Sequence, residues 1–97
     1  MPDDAAVLVR VSVRGVEGPF DDPDAVSKIV LGLLESGAAS LVHEQETVLT
    51  YAWDGKVVRK PQTVIEAQTT WGQVSAAEAV IRQHHPDRVP QIHHIFS

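Results

Sequence analysis

The stretch ASLVHEQETVLTYAWDGKVVRKPQTVIEAQTT, residues 39–70, decides the fold. Residues 39–53 are rich in β-branched and aromatic side chains, which suit a pleated, half-buried surface. Asp54-Gly55 follows, a dipeptide favoured in two-residue hairpin turns because glycine accepts a positive φ cheaply. Residues 56–70 then return as the partner strand. Pro61 has no N–H to give a ladder, so it belongs at an edge, a bulge or a break. The pattern predicts one long antiparallel hairpin at the centre of the chain.

Working outward, AVLVRVSV (6–13) alternates Val7, Val9, Val11 and Val13 with Leu8, Arg10 and Ser12, the period of a strand. RGVEGPFDDPD (14–24) is a loop, with two glycines, two prolines and an acidic cluster. Asp22-Pro23 is a good helix start: a side-chain cap, then a residue whose missing N–H costs nothing at the first position. Val26, Ile29, Val30, Leu33 and Leu34 share one helical face, and Gly37 supplies the stop. After the hairpin, Ser75 and Glu78 match a capping box with Val74 as its staple. Ala77, Val80, Ile81 and His84 form the apolar face of that second helix, and Pro86 ends it. VPQIHHIF (89–96) reads as a last short strand.

The order is βαββαβ. Two βαβ-like halves sharing a hairpin give an α+β, ferredoxin-like sandwich: a four-stranded antiparallel sheet with two helices on one face. At 97 residues the expected organisation is a single domain over 1–97. A core this small is modest, and oligomer formation is a natural supplement. With no cysteine, thiolate metal ligands and thiol nucleophiles are excluded. A net charge of −5 argues against nucleic acid, which needs clustered Lys and Arg. No run is long enough to span a bilayer, and the N-terminus is acidic where a secretory signal carries positive charge. Cytoplasmic residence is the expectation.

Ala38-Ala39-Ser40, Tyr51-Ala52-Trp53 and Asp54-Gly55-Lys56 fall, at matching spacing, where the CutA family of divalent-ion tolerance proteins has an "AAC" step, "Y-x-W" and an acidic-Gly-Lys hairpin. HHPDRVPQI (84–92) is similar to that family's "HPYEVPEI" through His85, Pro86, Val89, Pro90 and Ile92, and TVIEAQT (63–69) resembles its third strand ending in "KT". The likeness covers roughly residues 7–95. It implies a homotrimer of ferredoxin-like subunits with ligand clefts between them and a link to copper and other divalent ions. The chain departs from the pattern at Ser40, which replaces the family cysteine, and at Gln68, which replaces a lysine. Asp87, Arg88 and Gln91 stand where the family has a tyrosine and two glutamates. The loop 14–22 is longer than usual, and the chain stops at Ser97 where the family usually continues into a further strand and helix.

Four of the five histidines lie in residues 84–94. Metal-bound imidazole nitrogens converge to about 2.1 Å from an ion, and His93 and His94, adjacent on a strand, point to opposite faces. Val89 to His93 alone spans about 13 Å if extended. A copper or zinc site using His85 and His93 is therefore more natural between subunits than within one. Ordinary junction and strand histidines are the alternative. Tyr51 and Trp53 share a strand face and either pack or line an intersubunit pocket. Arg88 either holds a carboxylate or phosphate bidentately or pairs with Asp87 or Glu66. Gln68, Arg88 and Gln91 with Tyr51 and Trp53 form the candidate ligand set for a small molecule. No nucleophile–base order or phosphate loop is present. An enzyme on the same trimer would do acid–base chemistry with His85, Arg88 and His93.

Overall fold

The valine alternation over 6–13 gives one strand an apolar side, and the fold is organised around covering it. The computed structural model describes residues 2–96, Phe96 through its backbone alone. Its elements are β1 (Ala6–Arg14), α1 (Ala25–Glu35), β2 (Leu41–Trp53), β3 (Lys56–Thr70), a 3-10 turn (Trp71–Gln73), α2 (Val74–His84) and β4 (Ile92–Phe96). The strands form one sheet in the order β2-β3-β1-β4, every neighbouring pair antiparallel. This is the ferredoxin-like βαββαβ sandwich, its helices covering one face.

Val7, Val9, Val11 and Val13 are each at most 2% exposed, so all four face the helices. They lie opposite Thr69, Ala67, Ile65 and Thr63 of β3. Ile29 and Leu33 of α1 and Ala77 and Ile81 of α2 close over them. Each large aliphatic side chain buried there contributes roughly 1.5–3 kcal/mol. Thr69 is buried with them, and its hydroxyl donates to the Ala38 carbonyl, so no polar atom of that side chain goes unmatched.

The hairpin turn has positive φ at both Asp54 (50°) and Gly55 (73°), the geometry that a two-residue connection needs to match strand twist. The proline in β3 is tolerated for a reason visible in its partners. The Pro61 carbonyl accepts from the Gly15 N–H, so that residue's hydrogen-bonding edge faces the β1 side of the sheet. Its missing N–H points the same way, where β1 has already ended at Arg14. The proline forgoes only the reciprocal bond of the Gly15–Pro61 pair, at the very end of this ladder.

Both helix starts differ from the sequence expectation. The Asp22 carboxylate accepts the Asp24 N–H and its carbonyl accepts the Ala25 N–H. The cap therefore closes a turn, and α1 proper begins only at Ala25. The 3-10 turn over Trp71–Gln73 leads straight into α2, so Ser75 sits inside the first turn and no side chain caps it. Glu78, expected in a capping box, binds His94 and Arg82 instead. β4 starts at Ile92 rather than Val89, opposite Val11.

One dimension is out of proportion. β1 ends opposite Gln62, but β2 and β3 stay paired from Val48–Pro61 out to Trp53–Lys56. The chain measures 47 Å along its long axis against 26 and 21 Å across. On this overhang Val48, Leu49, Trp53 and Val57 are exposed, Trp53 by 70% and Val57 by 74%.

α1 and α2 approach closely at Gly32, where an added Cβ would sit 2.8 Å from Val80 Cγ1. Overpacking costs about 1–3 kcal/mol, against about 1 kcal/mol gained when alanine replaces glycine in a helix. Gly32→Ala is therefore expected to lower the thermal midpoint beside Val80 and to raise it in a Val80→Ala background. Denaturant unfolding of the four-protein cycle should give a coupling of about 1 kcal/mol; additive effects would contradict a tight crossing.

Candidate ligand cavity on the open sheet face

The face of the sheet away from the helices is uncovered, and strand parity decides what it shows. One row runs His43, Glu66, Arg10, His93 across β2, β3, β1 and β4. Arg10 Nε and Nη2 both donate to Glu66 Oε1, at 2.8 and 2.5 Å. Such exposed pairs are worth about 1 kcal/mol or less.

Further along this face, where β1 stops and the overhang begins, lies an open cavity of about 600 Å³. Leu49, Pro61 and Val89 supply apolar wall, and Ser12, Gln62, Gln91, Tyr51 and His93 supply polar groups. Arg14, Glu17, Lys60 and Asp87 bring charge.

Arg14 is the hub. Its Nη1 and Nη2 donate to the two oxygens of Asp21 at 2.7 and 3.0 Å, and its Nε donates to Asp87 Oδ1 at 2.8 Å. Asp21 Oδ2 also accepts the Glu17 and Gly18 N–H groups. One carboxylate thus closes the loop after β1 and fastens it to the strand it left. The Arg14 guanidinium, with help from the Glu17 N–H, lowers the Asp21 pKa from 3.8 to about 2. Asp21 and then Asp87 raise that of Arg14. The closed loop carries Glu17 to 2.8 Å from Lys60 on β3, and this pairing raises the lysine pKa.

His85 has a different task. Its side chain is buried, Nε2 lies 2.8 Å from the Ser12 carbonyl, and Nδ1 accepts the Asp87 N–H at 2.9 Å. The accepting Nδ1 requires the proton on Nε2, so the ring donates to Ser12. It takes the place of a strand partner for β1 just beyond Val11, where β4 pairing begins.

Of the residues proposed from sequence, Tyr51, Gln91 and His93 line the cavity; Trp53, Gln68, Arg88 and His85 do not. Trp53 is at the hairpin end, next to the turn. Gln68 is opposite Leu8 and Leu41, and its carbonyl accepts from Ser40. Arg88 is exposed, and the partners considered for it are bound elsewhere, Asp87 to Arg14 and Glu66 to Arg10. Both His85 nitrogens are engaged, and among the described residues no group of three or more His, Asp or Glu side chains is placed to hold a metal ion. Sequence reading missed Arg14, Glu17 and Asp21. The available signal was parity: Arg14 follows Arg10 and Ser12 on the polar side of β1.

Fold and open cavity together define a small α+β sandwich with one uncovered sheet face. Residues 17–96 match the family model of the CutA1 divalent ion tolerance protein, and the chain belongs to that family. Solved structures agree on the fold. The CutA1 divalent ion tolerance protein of Ehrlichia chaffeensis aligns at TM-score 0.77 with 19% identity, over 97% of this chain and 82% of that one. The divalent cation tolerance protein of Thermus thermophilus aligns at 0.72 with 21% identity, over 93% and 82%. The periplasmic divalent cation tolerance protein CutA of Archaeoglobus fulgidus aligns at 0.73 with 16% identity, over 93% and 81%. No curated protein matches at a significant level.

The Asp21 clamp has a pH signature. A depressed folded-state pKa stabilises the clamp above the ordinary pKa of 3.8, and that contribution fades as pH falls through about 2. A side-chain NMR titration should place the Asp21 midpoint near 2, returning toward 3.8 in Arg14→Gln. Chymotrypsin at neutral pH should then cut after the fully exposed Phe20 faster in that variant. An unchanged midpoint would contradict the clamp.

Proposed function

We propose that the chain works as a CutA-like homotrimer that holds a small ligand in clefts completed by neighbouring copies, in a divalent-ion tolerance or regulatory role. The carrying observation is the coincidence of two unfinished features. The cavity opens beside the overhang, and the overhang exposes Leu49 next to cavity-lining Tyr51 and, at its end, Trp53. A two-stranded ribbon is marginal alone, and cyclic pairing of identical copies covers such edges. Family membership supports the reading. Trp53, Gln68 and Arg88 belong to the cleft in this proposal only if another copy brings its cavity to them.

Divalent copper or zinc would be held weakly, by His93 with carboxylates from more than one chain, since His85 has no nitrogen to spare. A second reading, an acid–base enzyme on the same scaffold, has one observation in its favour: His93 and Tyr51, both able to move a proton, line the same cavity. Cytoplasmic residence remains part of the proposal, and cell fractionation tests it.

Sedimentation at micromolar concentration should give three times the 10.6 kDa chain mass, with Leu49→Glu shifting the protein toward one copy. A monomeric wild type would overturn the proposal. Calorimetric titration of the metal-free protein with copper or zinc should show heat that His93→Ala abolishes; a flat wild-type titration would remove the metal role.

A further inference from the structure

The overhang is exposed on both sides, and the cleft reading uses only one of them. Leu49, Tyr51 and Trp53 share the open face, whereas Val48 and Val57 lie on the other side, in line with Ile65 and Ala67. Cover from the helices stops short of that side of the ribbon: Ile65 is buried, Thr63 half-buried and Pro61 exposed. Reading outward, the register sets Glu44 opposite Ile65, Glu46 opposite Thr63, Val48 opposite Pro61, Thr50 opposite Arg59 and Ala52 opposite Val57. This side therefore has acid at its base, an apolar middle, then a guanidinium and an apolar end.

At the base is a second open cavity, of about 420 Å³, with Val48, Pro61 and Thr63 in its walls. Among its described lining residues Glu46 alone is charged. Glu46 and Arg59 are both exposed, and among the described residues neither side chain has an ion-pair partner, whereas Arg10, Arg14, Lys28, Lys60 and Arg82 each have one. An aliphatic side chain with a cation beside it matches such a cavity, and Val57 with Arg59 is that combination. They do not reach it within one chain, because Val57 and Pro61 are about 13 Å apart along an extended strand.

We infer that this side of the overhang recognises the same side of a second copy. The two ribbons lie antiparallel, Val57 of each over the base cavity of the other and Arg59 of each drawn to the other's Glu46. Charge fixes the orientation. A parallel arrangement sets Glu46 on Glu46 and Arg59 on Arg59, and like charges brought together across an interface are costly. The antiparallel contact is reciprocal, so it has two-fold symmetry and closes after two copies. It is thus distinct from the three-fold clefts proposed above and joins trimers in pairs. The patch falls well short of the roughly 20–30 residues a side of a standard interface, so one contact is weak. Several such contacts between two trimers reinforce one another through effective concentration.

The test is sedimentation equilibrium of the full chain from micromolar to millimolar concentration. The wild type should pass from three-chain to six-chain mass. Arg59→Glu and Glu46→Arg should each raise the dissociation constant of that step at least about tenfold. Arg88→Glu, which alters the exposed cation beside Val89, should leave it unchanged. The double exchange, Glu46→Arg with Arg59→Glu, should recover six-chain mass, and so should an equimolar mixture of the two single variants. Each of these again sets a carboxylate against a guanidinium at every contact. Three-chain mass at all concentrations, single variants that pair as well as the wild type, or no recovery on exchange would overturn the inference and leave the cleft reading standing. Passage from one copy to two, with the same response to exchange, would remove the trimer and keep the inference; one copy throughout would remove both.

Discussion

The central hairpin is longer than the sheet that supports it. β1 runs out at Arg14 opposite Gln62, and the last backbone link on that side is the bond from Gly15 N–H to the Pro61 carbonyl. Beyond it β2 and β3 have only each other, with apolar side chains on an unsupported ribbon. Pro61 fits because it faces the last link on the β1 side, where only one reciprocal bond is forgone, and the cavity lies where the sheet steps from four strands to two. The proposed assembly follows from the same mismatch, since the bare ribbon and the open face together make a surface that identical copies can cover.

At this step the chain invests its strongest electrostatics. Arg14 joins the end of β1, the following loop and the segment before β4 through Asp21 and Asp87, while the neutral His85 ring ties that same segment to Ser12. Isolated surface pairs contribute little. Here one guanidinium serves two carboxylates and one of those carboxylates also takes two backbone N–H groups, so the pairs act as a network. The result is a preorganised rim whose charges are matched internally.

Much of this was legible in the residues, and the parts that were not share a cause. The valine alternation, Asp54-Gly55 and Gly37 carry their meaning locally, and the strands, turn and helix stop followed. The helix starts shifted because a turn at Asp22 and a 3-10 turn at Trp71 compete with side-chain capping over a few residues, a contest that spacing alone does not decide. Tyr51, Gln91 and His93 were reachable through strand parity and family resemblance. Arg14 with Asp87 was not: 73 residues separate them, and they meet only after the sheet has assembled. Arg88, adjacent to Asp87, drew attention that the fold gives to Arg14.

Amide hydrogen exchange across residues 48–61, measured as a function of protein concentration, tests the central claim most directly. If association with other copies holds the overhang, its amides are slow at high concentration and speed up on dilution, while those of Val9 and Ile65 in the core stay slow throughout. Protection of the overhang that is independent of concentration, in a protein sedimenting as one chain, would show the ribbon to be stable alone and would contradict the account.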